Sequence, residues 1–516
     1  PFGYNWDHNY NVYLRTLNNG SIAINTGSLQ VDIYTDSGDS ILYNPPRGVF
    51  AKLERIQNSD FILTFKGGMK WYFTDSGFKR IPLIKIEDTN KNSQQLIYNP
   101  QNQLETVIDT VGRKINFVYG SCDLLEALQP EFLQEQGKHP VEIKYMHSNN
   151  IEQLSAVITF PTPDFPNGLM TCYEYDEDQA LSELRNNILR VIDAKGQTIV
   201  ENFYGTDSTD DSFNRVVKQY FMGGEYLFKY TNIRYIPPFD EYINDAYLQT
   251  EFYEPERPLK VLTFNFRGNL LDERFRLCAD GSYRVWAQSY RYNKNGQMTE
   301  FYYANGMADI YEYYEHDPNN PASVIEKNGN LLRVFKLNTI RLNPRKIAEY
   351  TYENNFQKVE TVTDEANTTI KFKYDGNGNL VKIIYPDATL PDGTVQNNCE
   401  TNLKYDPSGQ LVEELSPEGR KKTYDYFSNG SGAGLVKKIK THDSTALLIK
   451  SFEYDALGNI KRAIDGFGND TLFEHNLIGQ LVKTELPSVN GSRAVYKFEY
   501  NEDRKIAKEF LPKGNY

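Results

Sequence analysis

The chain has 516 residues, of which 14% are aromatic, and it contains 38 tyrosines and 29 phenylalanines but 3 tryptophans. Acidic residues outnumber basic residues by 69 to 56, the formal net charge is −13, and lysine and arginine form no cluster. This balance argues against nucleic-acid binding, and no apolar run of about 18 residues predicts a transmembrane segment. The abundance of tyrosine is typical of a large, half-buried β-sheet, on which the ring packs and the hydroxyl stays near water.

The first 97 residues are expected to form an N-terminal β region. Apolar and polar residues alternate at 29–34 and at 60–65, which predicts strands, and the tight turn Lys66-Gly67-Gly68-Met69 follows the second of them. The chain begins with Pro1 and shows no charged and then apolar signal segment. We therefore expect that the protein is processed or that the sequence is a piece of a longer one.

Residues 98–339 are expected to form a degenerate repeat region with insertions near 121–140 and near 231–258. Residues 123–137 carry helix-compatible side chains, and Asp123 is a suitable N-cap, so a short helix is predicted there. Residues 237–258 are rich in Pro, Glu and Tyr, which predicts a long loop.

A short phrase recurs in the last region, residues 340–516. It consists of an aromatic residue, Asp or Asn, two variable residues, Gly, an amide residue and an aliphatic residue. Asp at the first position of a type I turn accepts hydrogen bonds from its own backbone, and Gly three residues later adopts positive φ. The predicted turn residues are Asp375 and Gly378, Asp406 and Gly409, and Asp455 and Gly458.

A second set of turns has the same spacing of Asp and Gly and lies between the copies of the phrase. Its members are Asp109 and Gly112, Asp193 and Gly196, and Asp465 and Gly468. Two strands and two turns then give a period of 21 residues, which is the distance from Tyr98 to Tyr119. The residues expected to pack between neighbouring hairpins are Tyr98, Tyr119, Tyr374, Tyr405, Tyr454 and the variant His475. A fixed period of this kind predicts a repeat architecture.

The phrase Tyr-Asp-x-x-Gly-Asn/Gln-Leu resembles the YD repeat of Rhs proteins, teneurins and the B and C components of insecticidal toxin complexes. The opening residues 1–10, Pro-Phe-Gly-Tyr-Asn-Trp-Asp-His-Asn-Tyr, are also similar to the segment that begins many bacterial Rhs cores. The resemblance covers residues 1–120 and 340–510 well and 140–340 loosely. It implies an all-β fold, an antiparallel YD-repeat β-hairpin array coiled into a strip or partial hollow shell.

In the resembling family, closed shells enclose a C-terminal polypeptide, usually a toxin, and hold it unfolded until delivery. The resemblance therefore implies a non-catalytic shell or scaffold of a secreted Rhs-type polymorphic toxin. The implied partner is a C-terminal toxin cargo or the remainder of the same shell, with secretion machinery or a cell-surface molecule as a further partner. The implied location is secreted or at the cell surface. A secreted or cell-surface adhesion module that binds glycans or proteins is the alternative hypothesis.

No residue pattern points to catalysis, so neither an enzyme nor a cofactor is expected. The cysteines Cys122, Cys172, Cys278 and Cys399 are far apart in sequence, so free thiols are favoured over disulfides and no metal site is expected. His8 is interpreted as structural. The residues Asp406-Pro407-Ser408-Gly409 superficially resemble the Asp-Pro-x-Gly-Leu signature of the Rhs autoprotease. Because they lie in register with the repeats, they are predicted to form a repeat turn, and no matching autoprotease is expected.

Overall fold

The protein folds as an all-β, antiparallel array of hairpins, as the sequence predicts. The computed structural model describes residues 6–38, 41–56, 60–120, 123–133, 142–147, 153–175, 183–233, 243–255, 257, 259–278, 283–316, 327–338, 341–389, 393–396, 399–430, 432–442 and 447–512. In this part of the chain, 40 strands belong to one continuous sheet, and two further short strands pair with each other.

The first eight strands close into a ring. They are β1 (Val12–Thr16), β2 (Ile22–Thr26), β3 (Val31–Asp36), β4 (Leu42–Asn44), β5 (Lys52–Arg55), β6 (Phe61–Thr64), β7 (Lys70–Phe73) and β8 (Ile81–Glu87). Each strand pairs antiparallel with the next, and β1 pairs back with β8 through Tyr13 with Pro82 and Leu14 with Ile81. The closure leaves β1 paired on both of its edges.

The interior of this ring holds the main hydrophobic core. The fully buried side chains of this region include Leu14, Ile22, Leu53, Phe61 and Leu83. The alternation of side chains along each strand places these residues on the side that faces the interior. Burial of apolar surface contributes about 25 cal/mol per Å² to the free energy of folding. The buried side chains of this closed ring therefore stabilise the N-terminal part of the sheet.

The next strands continue the sheet past the ring. They are β9 (Ser93–Tyr98), β10 (Leu104–Ile108), β11 (Lys114–Tyr119), β12 (Leu125–Pro130), β13 (Ile143–His147), β14 (Leu154–Ile158) and β15 (Met170–Tyr175), and a 3-10 turn at Glu131–Leu133 follows β12. The chain before β1 crosses their inner face. Trp6 Nε1 donates to the hydroxyl of Tyr175 at 2.7 Å, and the ring of His8 lies 5.5 Å from that of Phe117.

The predicted helix at 123–137 is wrong for its described part. Leu125–Pro130 is strand β12, which pairs with β11 on one side and β13 on the other. Asp123 does not cap a helix but has a φ of 60° in the turn that begins at Gly120. Pairing on both edges overrides the weak helix preference of Leu and Ala. Residues 134–137 of this prediction lie outside the described residues.

The middle of the sheet contains longer strands. They are β16 (Ile188–Ile192), β17 (Thr198–Tyr204), β18 (Val216–Phe221), β19 (Gly224–Asn232), β20 (Leu248–Tyr253), β21 (Leu259–Phe264), β22 (Leu270–Cys278), β23 (Tyr283–Tyr292), β24 (Met298–Tyr302), β25 (Ala308–Tyr313) and β26 (Leu331–Asn338). The predicted loop at 237–258 is wrong for β20, which pairs with both β19 and β21. Residues 237–242, 256 and 258 of that prediction lie outside the described residues.

The last third begins with a 12-residue strand and continues with strands of two to eight residues. They are β27 (Arg341–Tyr352), β28 (Val359–Asp364), β29 (Thr369–Tyr374), β30 (Leu380–Ile384), β31 (Ala388–Thr389), β32 (Val395–Gln396), β33 (Glu400–Tyr405), β34 (Leu411–Leu415), β35 (Lys421–Tyr426), β36 (Val436–His442), β37 (Leu447–Tyr454), β38 (Ile460–Ile464), β39 (Asp470–His475), β40 (Leu481–Glu485), β41 (Val495–Tyr500) and β42 (Ile506–Phe510). The strands β31 and β32 form the separate pair.

The sheet coils, so that hairpin ends far apart in sequence touch. Asn90 and Asn379 exchange side-chain amide hydrogen bonds of 3.1 and 2.9 Å across a separation of 289 residues. Separations at other such contacts run from 262 residues at Lys66 to 336 residues at Asp164. We call residues 44–197 the first coil, residues 295–503 the second coil, and the line of contacts between their turns the seam.

Candidate functional site

The predicted turn residues lie at the hairpin ends, and the turn at Asp455 shows their geometry. Asp455 Oδ1 accepts hydrogen bonds from the backbone N–H groups of Leu457 and Asn459, both at 2.9 Å. The side-chain amide of Asn459 donates to Asp455 Oδ2 at 3.1 Å. Gly458 closes the turn by donating to the carbonyl of Asp455, and its φ is 86°. The amide residue after Gly therefore completes the carboxylate's hydrogen bonds.

The other turns of both sets repeat this geometry. Each Asp accepts backbone N–H bonds from the residues two and four positions further on, and each Gly has a φ between 77° and 87°. These residues are Asp109, Gly112, Asp193, Gly196, Asp375, Gly378, Asp406, Gly409, Asp465 and Gly468. The turn at Asp406 is thus built like its neighbours, although it contains Pro407. In Asp465, hydrogen bonds from the Asn469 side chain and backbone lower the pKa of the carboxyl group.

The repeat tyrosines link neighbouring hairpins through their hydroxyls. The hydroxyl of Tyr374 donates to the carbonyl of Val359 at 2.7 Å, that of Tyr454 to Val436 at 2.8 Å, and that of Tyr98 to Leu83 at 2.9 Å. The same bond to a strand of the preceding hairpin recurs at eight further tyrosines. They are Tyr175, Tyr204, Tyr230, Tyr292, Tyr313, Tyr352, Tyr426 and Tyr500. Each ring therefore packs on the sheet while its hydroxyl satisfies a backbone acceptor.

The remaining predicted aromatic positions lie on the same face. Tyr119 packs against the core of the N-terminal ring, and burial raises its pKa to about 12. Tyr405 is half-buried, and burial raises its pKa as well. His475 takes the tyrosine position in β39, and its Nδ1 lies 3.8 Å from Asp455 Oδ2. The imidazole is too short to reach the backbone acceptor that tyrosine hydroxyls use, so it contacts the neighbouring turn instead.

The two faces of the sheet differ in chemistry, which follows from the strand register. The face that carries the repeat tyrosines also carries a second aromatic row two residues earlier. That row includes Phe372, Tyr424, Phe452, Phe473 and Phe498. These side chains are half-buried. We call this the inner face, because the same face of β11 and β15 packs against the N-terminal residues Trp6 and His8.

Stacked aromatic rings extend the inner face across the middle of the sheet. The ring of Phe252 is stacked with Phe228 at 5.0 Å and with Tyr226 at 5.9 Å. Lys260 Nζ lies 5.8 Å from the same ring, and a second stacked pair, Tyr290 with Phe301, has a separation of 5.0 Å. The inner face is thus a continuous aromatic surface over many hairpins.

The outer face carries ladders of opposite charges. Arg462 bonds both Glu453 at 3.2 Å and Asp470 at 3.0 Å, and Glu413 bonds Lys404 at 2.8 Å and Lys421 at 2.6 Å. These groups alternate along the strands with the aromatic residues and therefore point away from them. Cross-strand pairs of opposite charge keep the outer face compatible with water.

Sequence reasoning missed the seam, which is made by side chains of the turns, both at variable positions and at the amide position that Asn379 occupies. Phe356 is the clearest case, since its ring lies between two glycines of other turns. A Cβ atom at Gly68 or at Gly378 would lie 2.8 Å from that ring, so only glycine allows this approach. Asn92 Nδ2 donates to the carbonyl of Ser408 at 2.8 Å. The only signal in the sequence was an apolar residue at a turn position that the repeat leaves variable.

The described residues hold no group of three or more His, Cys, Asp or Glu side chains suited to a metal ion. Cys172 is a free thiol and Cys399 is half-buried, whereas Cys122 and the side chain of Cys278 lie outside the described residues. Burial lowers the pKa of His8 to about 4, so its ring against Phe117 is neutral at pH 7. Among the helices of the described chain, none has the length and apolar character needed to cross a membrane.

Comparison with known proteins gives matches among solved structures alone. No family model and no curated protein matches the chain. It is similar to the crystal structure of TcdB2-TccC3-Cdc42, with 12% identity and a TM-score of 0.37 over 97% of this chain. It is also similar to the crystal structure of TcdB2-TccC3 without its hypervariable C-terminal region, with 12% identity and a TM-score of 0.38 over 97% of this chain. The Photorhabdus luminescens Tc holotoxin pore with mutation TccC3-D651A has 11% identity to this chain and a TM-score of 0.30 over 95% of it. The chain spans 29% of the length of each of these three matched chains.

Proposed function

We propose that this protein is a non-catalytic shell or scaffold whose inner face holds a polypeptide cargo. The observation that carries the proposal is the coiled sheet with an aromatic inner face and a charged outer face. The YD-repeat phrase makes a C-terminal toxin of the Rhs type the specific cargo of this proposal. A secreted location, and secretion machinery as a further partner, belong to the same proposal.

The chemistry of the inner face suits an unfolded chain better than a folded one. Its backbone groups are paired in the sheet, so side chains, with aromatic rings prominent among them, make up the surface that it offers. Rings such as Phe252 and Phe301 are half-buried and keep part of their flat apolar area exposed. Contiguous apolar surfaces that remain partly exposed mark interaction sites in many proteins. An extended cargo would bury its own apolar side chains against them at about 25 cal/mol per Å².

One feature of the outer face favours adhesion as a second candidate function. Phe203 and Tyr220 are 39% and 36% exposed, and their rings lie 6.0 Å apart. Lys218 Nζ lies 4.6 Å from the first ring and 5.0 Å from the second. An exposed pair of rings beside a cation is a surface that a glycan or another protein would use.

Photo-crosslinking from two adjacent residues of β35 separates these functions. Tyr424 points to the inner face and Thr423 to the outer face. A photoreactive phenylalanine analogue would replace each residue in turn in the natural full-length protein, expressed in its source organism. We expect an adduct with polypeptide from Tyr424 and none from Thr423, with mass spectrometry identifying the crosslinked peptide. Adducts from Thr423 alone would exclude an inner cargo and favour the adhesion function.

A further inference from the structure

We propose that the seam between the two coils acts as a hinge. It stays closed at the Lys66 end and opens at the Lys195 end. The proposal concerns the movement of the coils and does not depend on what the inner face binds. We call the contacts of Lys66 and Phe356 the staple, and the contacts of Lys195 with Asp503 and of Asp164 with Tyr500 the gate.

Lys66 is enclosed by groups from both coils. Its Nζ donates to the backbone carbonyl of Asn328 and to Asn330 Oδ1, the latter at 2.7 Å. The ammonium group lies 4.6 Å from the centre of the Phe50 ring. That ring in turn covers Gly329, where a Cβ atom would lie 2.2 Å from it. Burial lowers the pKa of Lys66 to about 8, as expected for an ammonium group withdrawn from water.

Phe356 adds an apolar contact and a backbone bond to the staple. The backbone N–H of Gly67 donates to the carbonyl of Phe356 at 3.0 Å, so the two coils share a main-chain hydrogen bond. The ring of Phe356 packs between Gly68 and Gly378. The staple thus combines apolar packing with hydrogen bonds that water does not easily replace.

The gate is built differently, from exposed polar groups. Lys195 Nζ pairs with Asp503 Oδ2, and their side chains are 28% and 36% exposed. The backbone N–H of Tyr500 donates to Asp164 Oδ2 at 3.3 Å, at an exposed site. Exposed ion pairs contribute little and are screened by salt. The strength of the seam therefore falls from the staple to the gate.

A line of intermediate contacts joins the two ends and sets the direction of opening. Next to the staple, Asn90 and Asn379 exchange two amide hydrogen bonds. Further along, Asn92 makes one hydrogen bond to the carbonyl of Ser408 at an exposed site. When the gate contacts break, strands β39 to β42 are free to tilt away about the staple. The inner face behind them then becomes accessible from outside.

Amide-resolved hydrogen exchange on the full chain measures the opening of both ends of the seam in one experiment. The staple contains the backbone N–H of Gly67 and the gate contains that of Tyr500, and each donates a hydrogen bond across the seam. Raising NaCl from about 20 mM to about 0.5 M is expected to speed exchange at Tyr500 by about two- to fivefold, since an exposed ion pair is screened. Exchange at Gly67 should stay unchanged. The amide of Gly458, which bonds within its own turn, is the internal control. Equal acceleration at Gly67 and Tyr500, or none at either, would contradict the gate.

Two matched variants complete the test. Asp503→Asn removes the negative charge that pairs with Lys195 and should speed Tyr500 exchange at low salt while abolishing the salt effect. Lys66→Met keeps an unbranched apolar side chain that is one atom shorter but removes the ammonium group, and should speed exchange at Gly67 at both salt concentrations. If Asp503→Asn acts equally on both amides, the seam opens as one unit and the hinge is wrong.

Discussion

At the scale of single residues, the hairpin ends are specified by one carboxylate and one glycine. The Asp455 carboxylate accepts hydrogen bonds from two backbone N–H groups and from the side-chain amide of Asn459. Gly458 closes the turn with a φ of 86°. Residues with a Cβ atom pay a steric cost in this region of φ and ψ, which is why the spacing of Asp and Gly persists where the residues between them vary.

Gly458→Val tests this cost at one position. A Cβ atom there would lie 3.5 Å from Leu435 Cδ1, which is ordinary contact, so the expected penalty comes from the backbone conformation. We expect a loss of about 1–3 kcal/mol in the free energy of unfolding, because a β-branched residue is strained at positive φ. Urea denaturation followed by far-ultraviolet circular dichroism measures it. Gly458→Asn is the control, since Asn tolerates this conformation; equal losses in both variants would point to crowding by the added side chain instead.

At the scale of elements, the short-range part of the fold could be read from the sequence and the long-range part could not. The turn spacing and the return of Tyr98 at Tyr119 predict hairpins, because both depend on residues a few positions apart. The strand at Leu125–Pro130 was mistaken for a helix, because its pairing partners on both edges are not encoded locally. The ring closure by β1 and β8 was missed for the same reason.

The contacts of Phe356 are a second example of long-range structure that the sequence does not predict. Phe356 and Phe467 both occupy turn positions, yet the first is half-buried between glycines and the second is 86% exposed. Nothing in the repeat phrase distinguishes them, because the distinction depends on residues of the other coil, near Gly68. A sequence pattern with a period of 21 residues carries no information on contacts 289 residues apart.

Comparing Phe356→Ala with Phe467→Ala measures this contact. The first substitution removes a ring that spans the seam, and we expect it to lower the free energy of unfolding by about 1–3 kcal/mol, less than for a fully buried phenylalanine. The second should change stability by less than about 0.5 kcal/mol, as is usual for exposed positions. Chemical denaturation of both variants under one set of conditions gives the difference. Similar small effects would show that the seam adds no stability at Phe356.

At the scale of the whole molecule, the coil changes how a repeat protein should unfold. In an open array each hairpin contacts its neighbours alone, so unfolding can begin at one end and proceed in steps. Here the second coil rests on the first through Asn90, Phe356 and Lys66. Loss of one coil therefore removes contacts from the other, and the two should unfold together.

The double variant Asn90→Ala with Phe356→Ala separates these two possibilities. It removes the reciprocal amide bonds and the apolar contact beside the staple, but leaves every strand pairing in place. We expect the wild-type protein to show one calorimetric transition and the double variant to show two, because coupling between the coils is lost while each coil keeps its hairpins. The matched control is Asn459→Ala with Phe467→Ala, which changes the same residue types at turns whose bonds stay local. That control should unfold in one transition. A single transition in the seam variant as well would mean that the continuous sheet, rather than the seam, carries the coupling through the molecule.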